Sequence, residues 1–204
     1  MNLPFLASLF VFLLVLGRLL KKNTKIMEQQ QQSFWQKERA ANSVRKKPLD
    51  NLDYISIPME RLPQQAHTED PVVAECVEVL NTLKECKIVN LTGISNTDLK
   101  LTYGTANITP LTEYDQNYTL LVTTLQKWAG KLYELGDLDS ARNILEYAVS
   151  VNSDITKTYV QLAEIYASQG ARSSIADLIA AADKLTTPSG KIIIRKLQET
   201  YGEI

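Results

Sequence analysis

A chain of 204 residues with 45% hydrophobic and 22% charged side chains is ordinary for one soluble domain of about 130 residues plus additional segments, large enough to bury a real core. The net charge of -1 conceals an asymmetry, because residues 1–68 carry 10 Lys/Arg against 5 Asp/Glu and the remainder 12 against 18. An acidic C-terminal part repels phosphates, which argues against nucleic acid as a partner.

The chain opens on "LPFLASLFVFLLVLGRLL", residues 3–20. As a helix this run is about 27 Å long, close to the hydrocarbon thickness of a bilayer. Arg18 lies near the helix end, where its stem can stay in the apolar layer while the guanidinium reaches the headgroups. A cleaved signal peptide places positive charge ahead of the apolar run and small residues after it. Here "MN" carries no charged side chain and "GRLLKKNTK" offers no small-x-small site. Arg18, Lys21, Lys22 and Lys25 instead follow the run, on the side that the positive-inside rule assigns to the cytoplasm. Residues 1–21 are therefore expected to be an uncleaved, single-pass transmembrane anchor with the rest of the chain cytoplasmic. A signal peptide and a soluble core helix are the alternatives.

Residues 22–47 are polar, free of Gly and Pro, and rich in helix formers, which predicts a basic helical stalk. Phe34 and Trp35 are a packing handle or an interfacial anchor. Lys37, Arg39, Arg45, Lys46 and Lys47 are either a solvated face or a patch drawn to anionic headgroups. Pro48 is expected to stop the helix. In residues 48–69, Pro48, Pro58 and Pro63 forbid a long helix, yet Leu52, Tyr54, Ile55, Ile57, Met59 and Leu62 are too apolar for a solvated linker. This strap is expected to lie extended against the domain that follows.

Residues 70–204 read as helical throughout. In "DPVVAECVEVLNTLKEC", Asp70 is a cap, Pro71 sits in the first turn, and Val72, Cys76, Val79, Leu80 and Leu83 share one face. Ser95 opens a second short helix that closes near Gly104. Farther on, two stretches superpose at an offset of 34 residues: Gly136 on Gly170, Leu145 on Ile179, Ala148 on Ala182, Ala129 on Ala163 and Leu132 on Tyr166. Small residues at fixed places let antiparallel helices approach closely, and the glycines end the first helix of each pair.

A 34-residue period of helix, Gly-containing turn and helix resembles the tetratricopeptide repeat family, over residues 122 to about 187. The sequence departs from that pattern in placing Ser153 where Pro ends a repeat and Ile175 where a small residue is usual. The resemblance implies an all-α fold, a short helical-repeat domain preceded by the transmembrane helix and the connector. Helices at 71–87 and from 111 onward, with "GKIIIRKLQETYGEI" at the end, would complete and cap the stack. It also implies a partner-binding groove lined by the first helix of each pair: Gln126, Gly130, Tyr133 and Glu134, then Lys157, Val160, Gln161, Glu164 and Ala167. These positions either face a partner or pack on neighbouring helices. Family members that clamp a C-terminal carboxylate use inward Lys and Asn donors. Here Gln126, Gly130, Val160 and Glu164 stand at those places, which implies a more apolar or basic ligand.

No nucleotide-binding loop, nucleophile elbow or metal-ligand spacing appears in the sequence, so no enzyme activity, cofactor, metal or small-molecule substrate is expected. The single His67 reads as incidental. Cys76 and Cys86 lie about 15 Å apart on one predicted helix, beyond disulfide reach, and read as small core residues of a reducing cytosol. Three formal glycosylation triplets, at Asn90, Asn107 and Asn117, need no special cause in an Asn- and Thr-rich stretch. Asp137 and Asp139 fall at a helix N-terminus, where carboxylates favour the positive end of the dipole. The expected function is a membrane-tethered protein-protein interaction scaffold with an unidentified protein partner. The rival is a structural or assembly subunit of a membrane-associated complex that uses its repeats for oligomerisation.

Overall fold

The computed structural model describes residues 3–202, with side chains at 10, 12, 13 and from 16 onward. Much of the apolar surface of segment 3–20 therefore lies outside the described residues. Among the described residues no helix is long and apolar enough to cross a membrane. All regular structure there is helical: eight α-helices and two short 3-10 turns, with a single antiparallel bridge between Tyr54 and Val89. The chain divides into two compact units, one of Met1–Lys47 with Ser95–Ile108 and one of Pro48–Ile94 with Thr109–Ile204. Residues 95–108, read from sequence as part of the repeat domain, thus belong with the long first helix.

The first unit holds α1 (Leu3–Asn42) and α3 (Asn96–Tyr103), which pack on each other. With neither Pro nor a breaking Gly after Leu20, α1 runs unbroken into the stalk and ends at Asn42, ahead of Pro48. Ser95 caps α3 by accepting from the Asp98 amide at 3.2 Å. Ala41 is fully buried and Leu99 nearly so. Polar pairs ring this contact: the Lys100 ammonium and Thr97 Oγ1 both donate to the Glu38 carboxylate, the latter at 2.7 Å, and Lys37 meets Asp98 at 2.6 Å. The Lys100 and Thr97 hydrogen bonds hold the Glu38 carboxyl below its ordinary range, and those from Lys37 and Ser95 do the same for Asp98. Asn107, fully buried, donates to the carbonyls of Lys47 and Tyr103, both at 2.7 Å. Its amide is structural, so the triplet that begins there offers no acceptor in the folded chain.

The second unit holds α2 (Pro71–Leu83), α4 (Ile108–Glu134, from Thr109), α5 (Leu138–Ser150), α6 (Thr156–Ser168), α7 (Ser173–Asp183) and α8 (Ser189–Tyr201). α5 packs on α6, α6 on α7 and α8, and α7 on α8. The helix foreseen from 111 and the first repeat helix are one continuous α4. Its buried face, Leu121, Leu125, Trp128 and Leu132, recurs at three- and four-residue spacing and forms the middle of the core. Asp70 caps α2 by accepting from the Val72 and Val73 amides at 2.9 and 3.3 Å.

The strap contributes to that core. Ile57, Met59 and Leu62 are buried in it and Ile55 packs against it, whereas Leu52 and Tyr54 are half-buried. The Ile55 amide donates to the Ile88 carbonyl at 2.9 Å, and Tyr147 Oη donates to the Ser56 carbonyl at 3.1 Å. Backbone groups that the prolines exclude from a helix find partners on neighbouring elements, while the apolar side chains leave water.

The ends of α4 and α6 repeat in atomic detail. Gly136 and Gly170 both adopt positive φ, 82° and 74°. The Asp137 amide donates to the Leu132 carbonyl at 3.0 Å and, at the same 34-residue offset, Ala171 donates to Tyr166 at 2.8 Å. Ala129, Ala148, Ala163 and Ala182 are all fully buried, and so is Ile175. Ser153 occupies the expected Pro position for a local reason: its amide donates to the Ala148 carbonyl at 3.0 Å, after Asn152 turns the chain at φ 59°, and Pro has no such hydrogen. One expectation is corrected. α2 stops at Leu83, so Cys86 falls in the following turn and is exposed; Cys76 alone is buried, and burial pushes its thiol up to about 11.

Candidate partner-binding cleft

Along α4, Thr123, Gln126 with Lys127, Gly130 with Lys131, and Glu134 recur every three or four residues and form one face. Val72 in the first turn of α2 and Lys157 in the first turn of α6 flank that face. Together these residues line an open cleft of about 460 Å³. Gln126 is held in place by α6: its Nε2 donates to Gln161 Oε1 at 2.9 Å, and its Oε1 accepts from Thr158 Oγ1 at 2.7 Å. Gly130 supplies room. A Cβ built there would meet only the Lys157 Nζ, at 3.8 Å.

The charges around the cleft are unequally committed. Lys127 Nζ lies 2.7 Å from Glu75, and this hydrogen bond raises its pKa. Lys131 Nζ lies 3.2 Å from Asp70 and 3.9 Å from Glu134. At Asp70 burial favours the neutral acid, but donation from Lys131 and from the Val72 and Val73 amides outweighs it and lowers the pKa. Lys157 makes no ion pair among the described residues. The cleft therefore has one uncommitted ammonium, a fixed amide at Gln126 and a floor without a side chain at Gly130. Such a lining can accept an extended backbone and a carboxylate.

Of the residues read from sequence as groove lining, Gln126, Gly130, Glu134 and Lys157 come together here. Gln161 stands behind them, buried against Gln126. Tyr133, half-buried Val160 and exposed Glu164 do not line the cleft. Val72, Thr123, Lys127 and Lys131 were not foreseen. Lys127 and Lys131, next in sequence to Gln126 and Gly130, join the lining where Val72 of α2 walls the cleft.

His67, read as incidental, adopts φ 52°, with its ring nitrogens 3.5 Å from carboxylate oxygens of Glu69 and Asp137. Asp137 also caps α5, accepting from the Ser140 amide at 3.1 Å. A further hollow of about 520 Å³ is lined by Asp53, Asn90, Asp154, Lys184 and Thr187 among others. Among the described residues, no three His, Cys, Asp or Glu side chains gather in a way that could hold a metal ion. No family model, curated protein or solved structure matches the chain.

Proposed function

We propose that this chain is a membrane-tethered interaction scaffold, whose residues 3–20 anchor it and whose helical pairs, read as tetratricopeptide-like, hold a segment of a protein partner on the cytoplasmic side. The tether is supported by the apolar run and the cations that follow it. The repeat reading is supported by the matched turn hydrogen bonds at a 34-residue offset. The observation that carries the binding function is the cleft between α2, α4 and α6, with an uncommitted Lys157 at its edge. An extended segment can lie along α4 between Thr123 and Glu134, hydrogen-bond to Gln126 and set an acidic side chain against Lys157.

Full-length protein bearing a photo-crosslinking side chain at Glu134 or Thr123 should capture a discrete partner in its own membranes, and the additional change Lys157→Glu should abolish the capture. The same probe at exposed Glu199 on α8 should not capture it. Equal capture from both faces would refute the cleft. Release of the protein from membranes by alkaline wash would refute the tether.

A further inference from the structure

Helix α1 is one unbroken element of 40 residues, about 60 Å long at 1.5 Å per residue. From Lys21 to Lys37 every side chain on it is exposed. Its large apolar residues are nevertheless not scattered. Leu13, Leu20, Met27 and Phe34 recur at every seventh position, and Phe12, Leu19 and Ile26 do so one place earlier. With Leu13 at position a of a heptad, these are the a and g positions, and Leu16, Asn23 and Gln30 occupy d. Every charged residue between 18 and 36, that is Arg18, Lys21, Lys22, Lys25 and Glu28, falls at b, c or f. A stripe without charge thus continues past the basic cluster to Phe34, with the cations on the opposite side. A repeat of seven keeps such a stripe facing one partner helix along a left-handed supercoil.

We infer that α1 pairs with α1 of a second copy of this chain, in parallel and in register, through the seam of Leu16, Leu19, Leu20, Asn23, Ile26, Met27, Gln30 and Phe34. Three observations favour a second copy over other occupants. Asn23 and Gln30 lie inside the stripe, one heptad apart; facing lipid or a smooth apolar groove each leaves an amide unpaired, whereas facing its own counterpart each can be hydrogen-bonded. No charged residue stands at the flanking e and g positions between Gly17 and Ser33, so two copies meet without like charges opposed. The area is also sufficient: Leu19, Leu20, Ile26, Met27 and Phe34 are 41 to 68% exposed, and at roughly 100 Å² each, pairing buries on the order of 1,000 Å² over two copies, the lower bound for a specific interface.

The parallel orientation rests on the tether reading, because anchored copies enter the cytoplasm in the same direction and at raised effective concentration. Residues 21–36 lying flat on the bilayer while 3–20 cross it would need a kink, and α1 has none.

The test is a disulfide scan of the full-length protein in membranes, in a Cys86→Ser background with buried Cys76 retained. Single cysteines are placed at each position from Lys22 to Phe34. Dimer formation should peak at Asn23, Ile26, Met27, Gln30 and Phe34, several-fold faster than at Lys22, Lys25, Gln29 and Gln32. Met27→Lys, which sets two ammoniums face to face, should reduce cross-linking through the Gln30 position several-fold while the protein still sediments with membranes. A flat profile, a profile peaking on the charged face, or cross-links from the stripe to a different protein would each overturn the inference. A peaked profile in protein that no longer sediments with membranes would retain the pairing and refute the tether.

Discussion

At Gly190 the backbone of α8 comes close to the end of α7, and replacing it with alanine measures how tightly the end of the stack is set. A Cβ at this position would lie 2.5 Å from the Ala182 carbonyl oxygen and 3.3 Å from Leu185 Cβ. The first obstacle is backbone, and that carbonyl already accepts the Leu185 amide at 3.2 Å as α7 ends. The helices must separate by about 0.7 Å, enough to forfeit a quarter to a half of each dispersion contact that is pulled apart. Ile193 and Leu197, on the same face of α8, are buried at 0% and 1% exposure and share the loss. Overpacking of this kind costs about 1 to 3 kcal/mol. The helix-propensity gain of Gly→Ala returns at most about 1 kcal/mol, and less so near the start of a helix. Gly190→Ala should therefore lower the melting temperature by about 2 to 8 °C. Gly130→Ala is the control: it lies inside α4, its Cβ meets nothing closer than 3.8 Å, and it should raise stability by up to about 1 kcal/mol. Both are read from Trp128 fluorescence, with Trp35→Phe leaving the fully buried indole as sole reporter. Two shifts of the same sign, or an unchanged Gly190→Ala, would refute the close approach.

Met59→Ala removes a strap side chain that is 2% exposed, and should cost about 2 to 5 kcal/mol in urea unfolding; a loss no larger than that of half-buried Leu52→Ala would show that the strap does not belong to the core. The α1–α3 contact should loosen in acid. Glu38 and Asp98 have lowered pKa values in the folded state, so their contribution is present above the ordinary carboxylate pKa of about 4 and lost as pH falls through the lowered folded values. Amide-exchange protection at Leu99, corrected for intrinsic rates, should hold from neutral pH and fall in that window; Glu38→Gln should flatten the fall, and an unchanged profile in the variant would contradict the assignment.

Much of this organisation is legible before folding, because it depends on residues close together in the chain. Caps at Asp70 and Ser95, turns at Gly136 and Gly170, and a proline-bearing strap too apolar to stay in water are all local demands of backbone and solvent. The 34-residue spacing of small residues likewise picks out Ala129, Ala148, Ala163 and Ala182, all of them fully buried, where only a short side chain fits. The heptad stripe of α1 belongs here too, as a periodicity of one uninterrupted helix. Tertiary structure alone decided the rest. Nothing near Asn96–Tyr103 announces that it packs on a helix about sixty residues earlier, since Glu38 with Lys100 and Asn107 with Lys47 are pairs that only the folded chain brings together. The cleft divides the same way: Gln126, Gly130, Glu134 and Lys157 follow from helix periodicity, but the wall from α2 comes from outside the repeats. Lys127 and Lys131 pair with Glu75 and Asp70 at that wall, long-range contacts that no local pattern encodes.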